Sequence, residues 1–299
     1  MTPKKQDKLN RKKASRQSPQ HKAAIAEREA RGWARPVQTP KNPKAIDRPL
    51  KLSDEEIVWV KSMLIHEDGV IMGFNKPSNL SSQGGRGNFH NLDDMLWAFA
   101  RSNCNKPRLL HRLDRDTSGI ILAAKTRTSA AFVGNAIAAR DVHKTYVCIV
   151  AHPHNLKDEG VIDVPLRREE IGREAYSRVC AADHPEALSA RTTYRVLSRT
   201  DTSALVQCEP FTGRMHQIRV HMAHLGCPIA GDVRYGGALS LDGVRVPRLM
   251  LHARAIEFPH PDGGRRRWEA PLSPDLQALC AQAGLNLDKN LGKPFIYLP

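Results

Sequence analysis

His111-Arg112-Leu113-Asp114-Arg115-Asp116-Thr117-Ser118-Gly119-Ile120 runs straight into Ile121-Leu122-Ala123-Ala124, and this junction decides how the chain is read. Residues 119–125 have the length and turn-bounded ends of a buried strand, so the carboxylates and hydroxyls ahead of it lie in the turn that leads in. Asp and Ser in such turns commonly bond only their own backbone. A carboxylate at the mouth of a buried strand is equally well placed for acid–base or nucleophilic chemistry. The local chemistry leaves both readings open.

Outward from that strand, short apolar runs alternate with turns. Ser129 to Arg140 carries Ala, Val and Ile at helical spacing and predicts a helix packed on the strand. Thr145 to Ala151 is β-branched and aromatic, a second strand with Tyr146, Cys148 and Val150 on one face. Gly69 to Pro77 reads as a strand stopped by proline, and further strands are expected at 190–198, 204–209, 249–253 and 266–269. Ser53 with Glu56 three positions on is a capping box for a helix through Met63, and Asn91 caps an expected helix from Asp93 to Arg101. Many strands with few helices predict an α+β domain, with a mixed, mainly antiparallel sheet and flanking helices. There is no fixed-period repeat, glycine-rich dinucleotide fingerprint or P-loop.

A second dense patch is Thr212-Gly213-Arg214-Met215-His216-Gln217-Ile218-Arg219-Val220-His221-Met222-Ala223-His224-Leu225-Gly226. On a helix, Met215, Ile218, Met222 and Leu225 form one apolar stripe, and Gly226 ends it. Arg219 lies beside that stripe, and a guanidinium there needs a carboxylate, a phosphate or a route to water. Asp114 is the expected partner. His221 and His224 are helical neighbours, but no further ligands stand at zinc spacing, so no metal is expected.

With 299 residues and 40% hydrophobic content the chain can bury a core. Its net charge of +15 is concentrated at one end, because residues 1–48 hold 14 Lys and Arg against 4 Asp and Glu. This segment is expected to be a basic flexible tail attracted to polyanions, ahead of a folded region at 49–299 whose length suits one large domain or two modest ones. The six cysteines are scattered, with no Cys-x-x-Cys pair and no apolar leader, which predicts a reduced, cytoplasmic protein. No run is long enough to span a membrane.

The phrase His111-Arg112-Leu113-Asp114, two variable residues, Thr117-Ser118-Gly119 and an apolar strand resembles the catalytic motif of the RluA-type RNA pseudouridine synthases. Other blocks agree in order: Asn75-Lys76-Pro77-Ser78, His143-Lys144-Thr145-Tyr146, the Arg214–Gly226 patch, Pro228-Ile229-Ala230-Gly231-Asp232 with Tyr235-Gly236, and Leu249-Met250-Leu251-His252-Ala253. Two positions depart from the pattern. Asn79 stands where glycine usually follows the first block, a turn that Asn tolerates, and Leu188 stands where a Lys is common.

The resemblance implies a pseudouridine synthase fold with a central RNA-binding cleft, and isomerisation of uridine to pseudouridine in RNA as a monomer with no cofactor. It implies Asp114 as the catalytic aspartate, Tyr146 as the residue that stacks on or deprotonates the base, and Arg219 as the aspartate's basic partner. Arg112 would enter the RNA stack, and Lys76, Arg214, His216 and Lys144 would contact RNA. Asp114 could act at C1′, at C2′ or at C6 of the base, and the sequence does not choose. Gln83-Gly84-Gly85-Arg86-Gly87 resembles a segment of members acting on large-subunit ribosomal RNA. The alternatives are transfer RNA, or an RNA-binding or ribosome-assembly protein without catalysis. No S4-like module is evident, and the His-x-Glu and Pro-Cys-x-x-Cys pattern of zinc-dependent deaminases is absent.

Overall fold

The computed structural model describes residues 50–84, 90–100, 105–172, 174–287 and 291. The basic segment 1–48 and residues 85–87 of the glycine-rich stretch lie outside the described residues.

The chain enters through helix α1 (Asp54–Ser62), which starts at the expected capping box: Glu56 N donates to Ser53 Oγ at 3.2 Å, and Ser53 N to Glu56 Oε2 at 2.9 Å. Strands β1 (Leu64–Glu67) and β2 (Ile71–Lys76) form a hairpin. The helix expected from Asp93 to Arg101 is shorter. It is a single turn, α2 (Leu92–Met95), that tightens to a 3₁₀ turn over Leu96–Phe99. Strands β3 (Arg108–Leu109) and β4 (Ser118–Ala124) follow, then α3 (Arg127–Ala138), which packs on the sheet, and β5 (His143–Ala151).

Next come β6 (Glu159–Asp163), the polar hairpin β7 (Leu166–Ile171) and β8 (Glu174–Val179), and the long pair β9 (Arg191–Arg199) and β10 (Ser203–Pro210). Helix α4 (Gln217–His224), a small ribbon of β11 (Ser240–Leu241) and β12 (Val244–Arg245), strands β13 (Leu251–Pro259) and β14 (Arg265–Glu269), and helix α5 (Pro274–Gln282) complete the order.

Ten strands form one sheet in the order β1-β2-β4-β13-β5-β10-β9-β6, with β3 beside β4 and β14 beside β13. Its pairings are antiparallel except β4 with β13, so the fold is the expected α+β class with a mainly antiparallel sheet. The centre of the core is β4, β5, β10 and β13: all seven residues of β4 and the last seven of β5 are buried. Both faces of these strands are covered, which is why they read as near-continuous apolar runs.

The parallel seam sets the geometry of the site. Gly119 pairs with Ala253 at φ +112°, and a Cβ at that position would lie 2.2 Å from the Ala253 carbonyl oxygen. Only glycine lets β4 approach β13 there, and this approach carries the turn containing Asp114 up to β5 and α4.

Candidate active site

The turn before β4 is pinned by the segment after β2. Ser82 Oγ donates to Leu113 O at 2.7 Å and accepts from Leu113 N at 3.0 Å, and Ser78 Oγ donates to Asp116 O at 2.9 Å. Lys76 Nζ reaches Arg115 O at 3.1 Å as well as Pro77 O and Leu80 O, both at 2.8 Å. Lys76 is therefore not the RNA contact expected. It is fully buried, and its ammonium is consumed by three carbonyls. Burial, opposed by Asp114 and Asp116, lowers its pKa to about 7. Asn79 takes the left-handed conformation at φ 66°, so the turn survives without glycine.

Held in this way, Asp114 opens on a cleft of about 500 Å³. The cleft is lined from one side by His111, Arg112 and Asp114, from the floor by Lys144 and Tyr146 of β5, and from the far side by Arg214, His216 and Arg219. The three residues expected to converge do so, and every expected contact residue except Lys76 lines the same space. Asp114 has a third of its side chain exposed, whereas Arg219 has 7%. Arg112 is exposed at the rim.

Arg219 was expected to pair with Asp114, and its Nη1 does lie 3.7 Å from Asp114 Oδ2. Its main partner is another carboxylate. Nε and Nη2 each donate to Asp232 at 2.7 Å, a bidentate clamp on a fully buried acid. The guanidinium also lies 5.1 Å from the centroid of the Tyr235 ring. Burial works against the charge on Arg219, but the Asp232 hydrogen bonds and charge outweigh it, with Asp114 adding to them, and its pKa rises. Arg219 thus bridges a buried anion and a half-buried one and presents its Nη1 edge to Asp114.

The short α4 begins later than its apolar stripe implied. His216 is its N-cap in the left-handed conformation at φ 53°, which leaves Met215 outside the helix. This turn aims the His216 ring across the cleft: Nδ1 meets Tyr235 Oη at 2.8 Å, and Nε2 lies 3.9 Å from Asp114 Oδ2. Tyr235 Oη in turn accepts from Ser177 N at 3.0 Å, which leaves its proton for His216 Nδ1. Burial first, and the Arg219 and Arg234 charges after it, lower the His216 pKa despite the Asp114 charge.

Tyr146 makes no hydrogen bond with its hydroxyl among the described residues, and burial followed by the negative Asp114 raises its pKa well above the ordinary value. It is a neutral phenol facing the cleft, suited to stacking against a flat ring. Lys144, two residues before it on the same face of β5, has its pKa lowered by burial. Arg214 donates to Ser189 O at 3.0 Å.

Asp232 and Tyr235 are the functional residues that the sequence reading missed. The signal was available: a guanidinium beside an apolar stripe needs a buried counter-ion, and Asp232 stands in the block just after the helix. Among the described residues no cluster of His, Cys, Asp and Glu could hold a metal ion. His221 instead contacts Thr192 Oγ1 at 2.9 Å and Val164 O at 3.1 Å. In β14, Arg265 pairs with Asp141 and Glu257, and Arg267 with Glu269. Among the described residues no helix is long and apolar enough to cross a membrane.

Residues 70–224 match the family model of RNA pseudouridylate synthase. The ribosomal large subunit pseudouridine synthase D of Nitrosomonas europaea is 37% identical over 225 residues, which cover 72% of this chain and 63% of that protein. The ribosomal large subunit pseudouridine synthase C of Escherichia coli K12 is 34% identical over 229 residues, covering 75% of this chain and 70% of that one. The chain therefore spans less than two thirds of the length of the first relative and somewhat more of the second. Among solved structures, human RNA pseudouridylate synthase domain containing 4 superposes with a TM-score of 0.66 at 27% identity, covering 78% of this chain and 98% of that one.

Proposed function

Because the chain belongs to the RNA pseudouridylate synthase family, whose members are isomerases acting on RNA, we propose that it converts specific uridines of large-subunit ribosomal RNA to pseudouridine, with Asp114 as the catalytic residue. The observation that carries this is the convergence of Asp114, Tyr146 and Arg219 on one open cleft, with a third of the acid's side chain open to solvent and the base-sized aromatic beside it. The ribosomal substrate is supported by the names of the relatives from both bacteria.

The reaction breaks the C1′–N1 bond, turns the uracil and forms a C1′–C5 bond. The proton lost from C5 is balanced by the one gained at N1, so no redox partner is needed. A base inside a helix is out of reach and must be extruded, at a cost of a few kcal/mol. Tyr146 under the uracil offsets roughly 1–3 kcal/mol of this by stacking, and Arg112, exposed at the rim, fills the gap in the RNA. The Asp114 carboxylate acts on the sugar or on the base. Because its environment keeps Tyr146 protonated before substrate binds, the phenol is a platform first and not a resting base. Arg219 is a positioning residue that holds Nη1 toward Asp114 and spreads the charge of the acid as it reacts.

The isomerisation is redox-neutral and needs no redox cofactor, and the chain is proposed to act as a monomer. The basic segment 1–48 adds affinity for RNA through phosphate neutralisation, and the scattered cysteines favour the cytoplasm. The deciding experiment maps pseudouridine in ribosomal and transfer RNA from cells with and without this protein. Loss of one or a few sites in large-subunit RNA is the expected result. Loss confined to transfer RNA overturns the substrate, and an unchanged map overturns the activity.

A further inference from the structure

A second recess of about 290 Å³ lies away from the Asp114 cleft, where β3, the end of β4 and the start of α3 meet. Among the described residues Lys106, Arg108, Lys125 and Arg127 line it, and no carboxylate does. Two of these cations are already engaged. Lys106 Nζ donates to Asp93 O at 2.6 Å and to its Oδ2 at 2.8 Å, and Lys125 Nζ meets Glu67 at 2.6 Å and Asp68 O at 2.5 Å. The other two are not: Arg108 and Arg127 are exposed, and neither guanidinium has an ion-pair or hydrogen-bond partner among the described residues.

Backbone donors reinforce the arginines. Thr126 caps Ser129 N at 3.1 Å, which leaves the Arg127 and Thr128 N–H groups at the opening of α3, a twelve-residue helix with no acidic side chain in its first turn. Two bare guanidiniums in a concave, carboxylate-free site fit a phosphate oxygen fork. Among the described residues no aromatic side chain lines the recess to stack a base, so the chemistry recognised is the phosphate and not the nucleobase.

The recess and the catalytic cleft are separate but lie on the same elements. Leu109, next to Arg108, and Ile137, ten residues along α3 from Arg127, both line that cleft. At 1.5 Å per helical residue the two sites are roughly 15 Å apart along α3, a span of a few nucleotides. We propose that Arg108 and Arg127, with the opening of α3, dock a backbone phosphate of the substrate RNA at a distance from the isomerised uridine; this rests on the reading of the chain as an RNA-modifying enzyme.

The test compares the full chain with Arg108→Gln/Arg127→Gln and with a charge-matched control, Lys61→Gln/Arg245→Gln, whose residues are exposed and lie outside both sites. Binding to an unmodified large-subunit ribosomal RNA transcript is measured over a series of salt concentrations, and isomerisation is followed on the same transcript. Loss of one phosphate contact lowers the slope of log affinity against log salt by about 1 and weakens binding by about tenfold or more. The rate at saturating RNA stays within about twofold, because the contact is made equally in ground and transition states. An unchanged slope, or an equal fall in the control, overturns the phosphate site. Failure of the unaltered protein to isomerise any uridine overturns the proposed function instead, while the binding comparison still decides the recess.

Discussion

Replacing Asp232 with Asn removes the charge beneath Arg219 without changing the shape of the side chain. In the native protein that carboxylate is wholly buried and takes two hydrogen bonds of 2.7 Å from the guanidinium, as well as Arg234 N at 3.2 Å and Tyr235 N at 3.3 Å. Taking one partner from a buried ion pair costs about 3–5 kcal/mol, because the remaining charge is stranded. The Asn carbonyl still accepts one N–H, and Asp114 remains nearby, so the lower end of that range applies. For a domain of this size the thermal midpoint falls on the order of 10 °C. A second effect separates positioning from bulk stability. Freed from its clamp, Arg219 no longer fixes Nη1 at 3.7 Å from Asp114, and a misplacement of about 1 Å near the chemistry is worth up to about 100-fold in rate. Thermal unfolding gives the first quantity. Single-turnover isomerisation, well below the lowered midpoint and at saturating RNA, gives the second. KM for RNA stays close to normal, since Asp232 touches no solvent, and Asp232→Glu recovers part of both losses. A variant with the native midpoint and the native single-turnover rate would show that the clamp neither holds the fold nor sets the site.

The Tyr146 phenol serves as a stacking surface, so Tyr146→Phe keeps RNA affinity, whereas Tyr146→Ala weakens productive binding by the roughly 1–3 kcal/mol of an aromatic stack; equilibrium binding to unmodified RNA distinguishes the two, and equal losses in both would assign the effect to the hydroxyl. Stability falls with acid. Burial, followed by the charges of Arg248 and Arg254, holds the His252 pKa down at about 3, and His111, His216 and His221 shift the same way, each through burial first. The unfolded chain takes up these protons near the ordinary histidine value while the native one resists. Stability is therefore full above that value and is lost as pH drops, with about 2 kcal/mol from His252 alone between pH 6.5 and pH 5. Urea midpoints at pH 7 and pH 5 check this, and an equal or higher midpoint at pH 5 contradicts it.

The sheet was legible where burial on both faces writes itself as an apolar run. β4, β5 and β10 fall within a residue or two of their expected ends. Strand β13 was legible only at its start, because its later residues alternate with Arg254 and Glu257. The β7–β8 hairpin left no signal, since Arg167, Arg168, Glu169 and Glu170 answer Arg178 and one another through surface ion pairs and not through a core. At the site, Asp114 and Tyr146 stood out by motif and Arg219 by its conflict with an apolar stripe. The Arg219–Asp114 pair is present at 3.7 Å, but the tighter, bidentate partner Asp232 was not foreseen, because spacing cannot rank two distant carboxylates; only the fold shows that one is wholly buried and the other half-buried. Lys76 failed for a related reason. A lysine ending a strand normally reaches water, and here the turn after it brings two carbonyls, and the turn before β4 a third, onto its ammonium.

Asp114→Asn removes one carboxylate oxygen charge from the cleft and leaves the turn pinned by Ser78, Ser82 and Lys76 in place. Purified variant and native protein, incubated with unmodified large-subunit ribosomal RNA under single-turnover conditions, are compared for pseudouridine formed and for RNA bound. The expected result is binding close to native with isomerisation reduced by at least the ~10²–10⁴-fold that a positioned acid–base group supplies. Native-rate isomerisation by the variant would contradict the assignment of Asp114 as the catalytic residue.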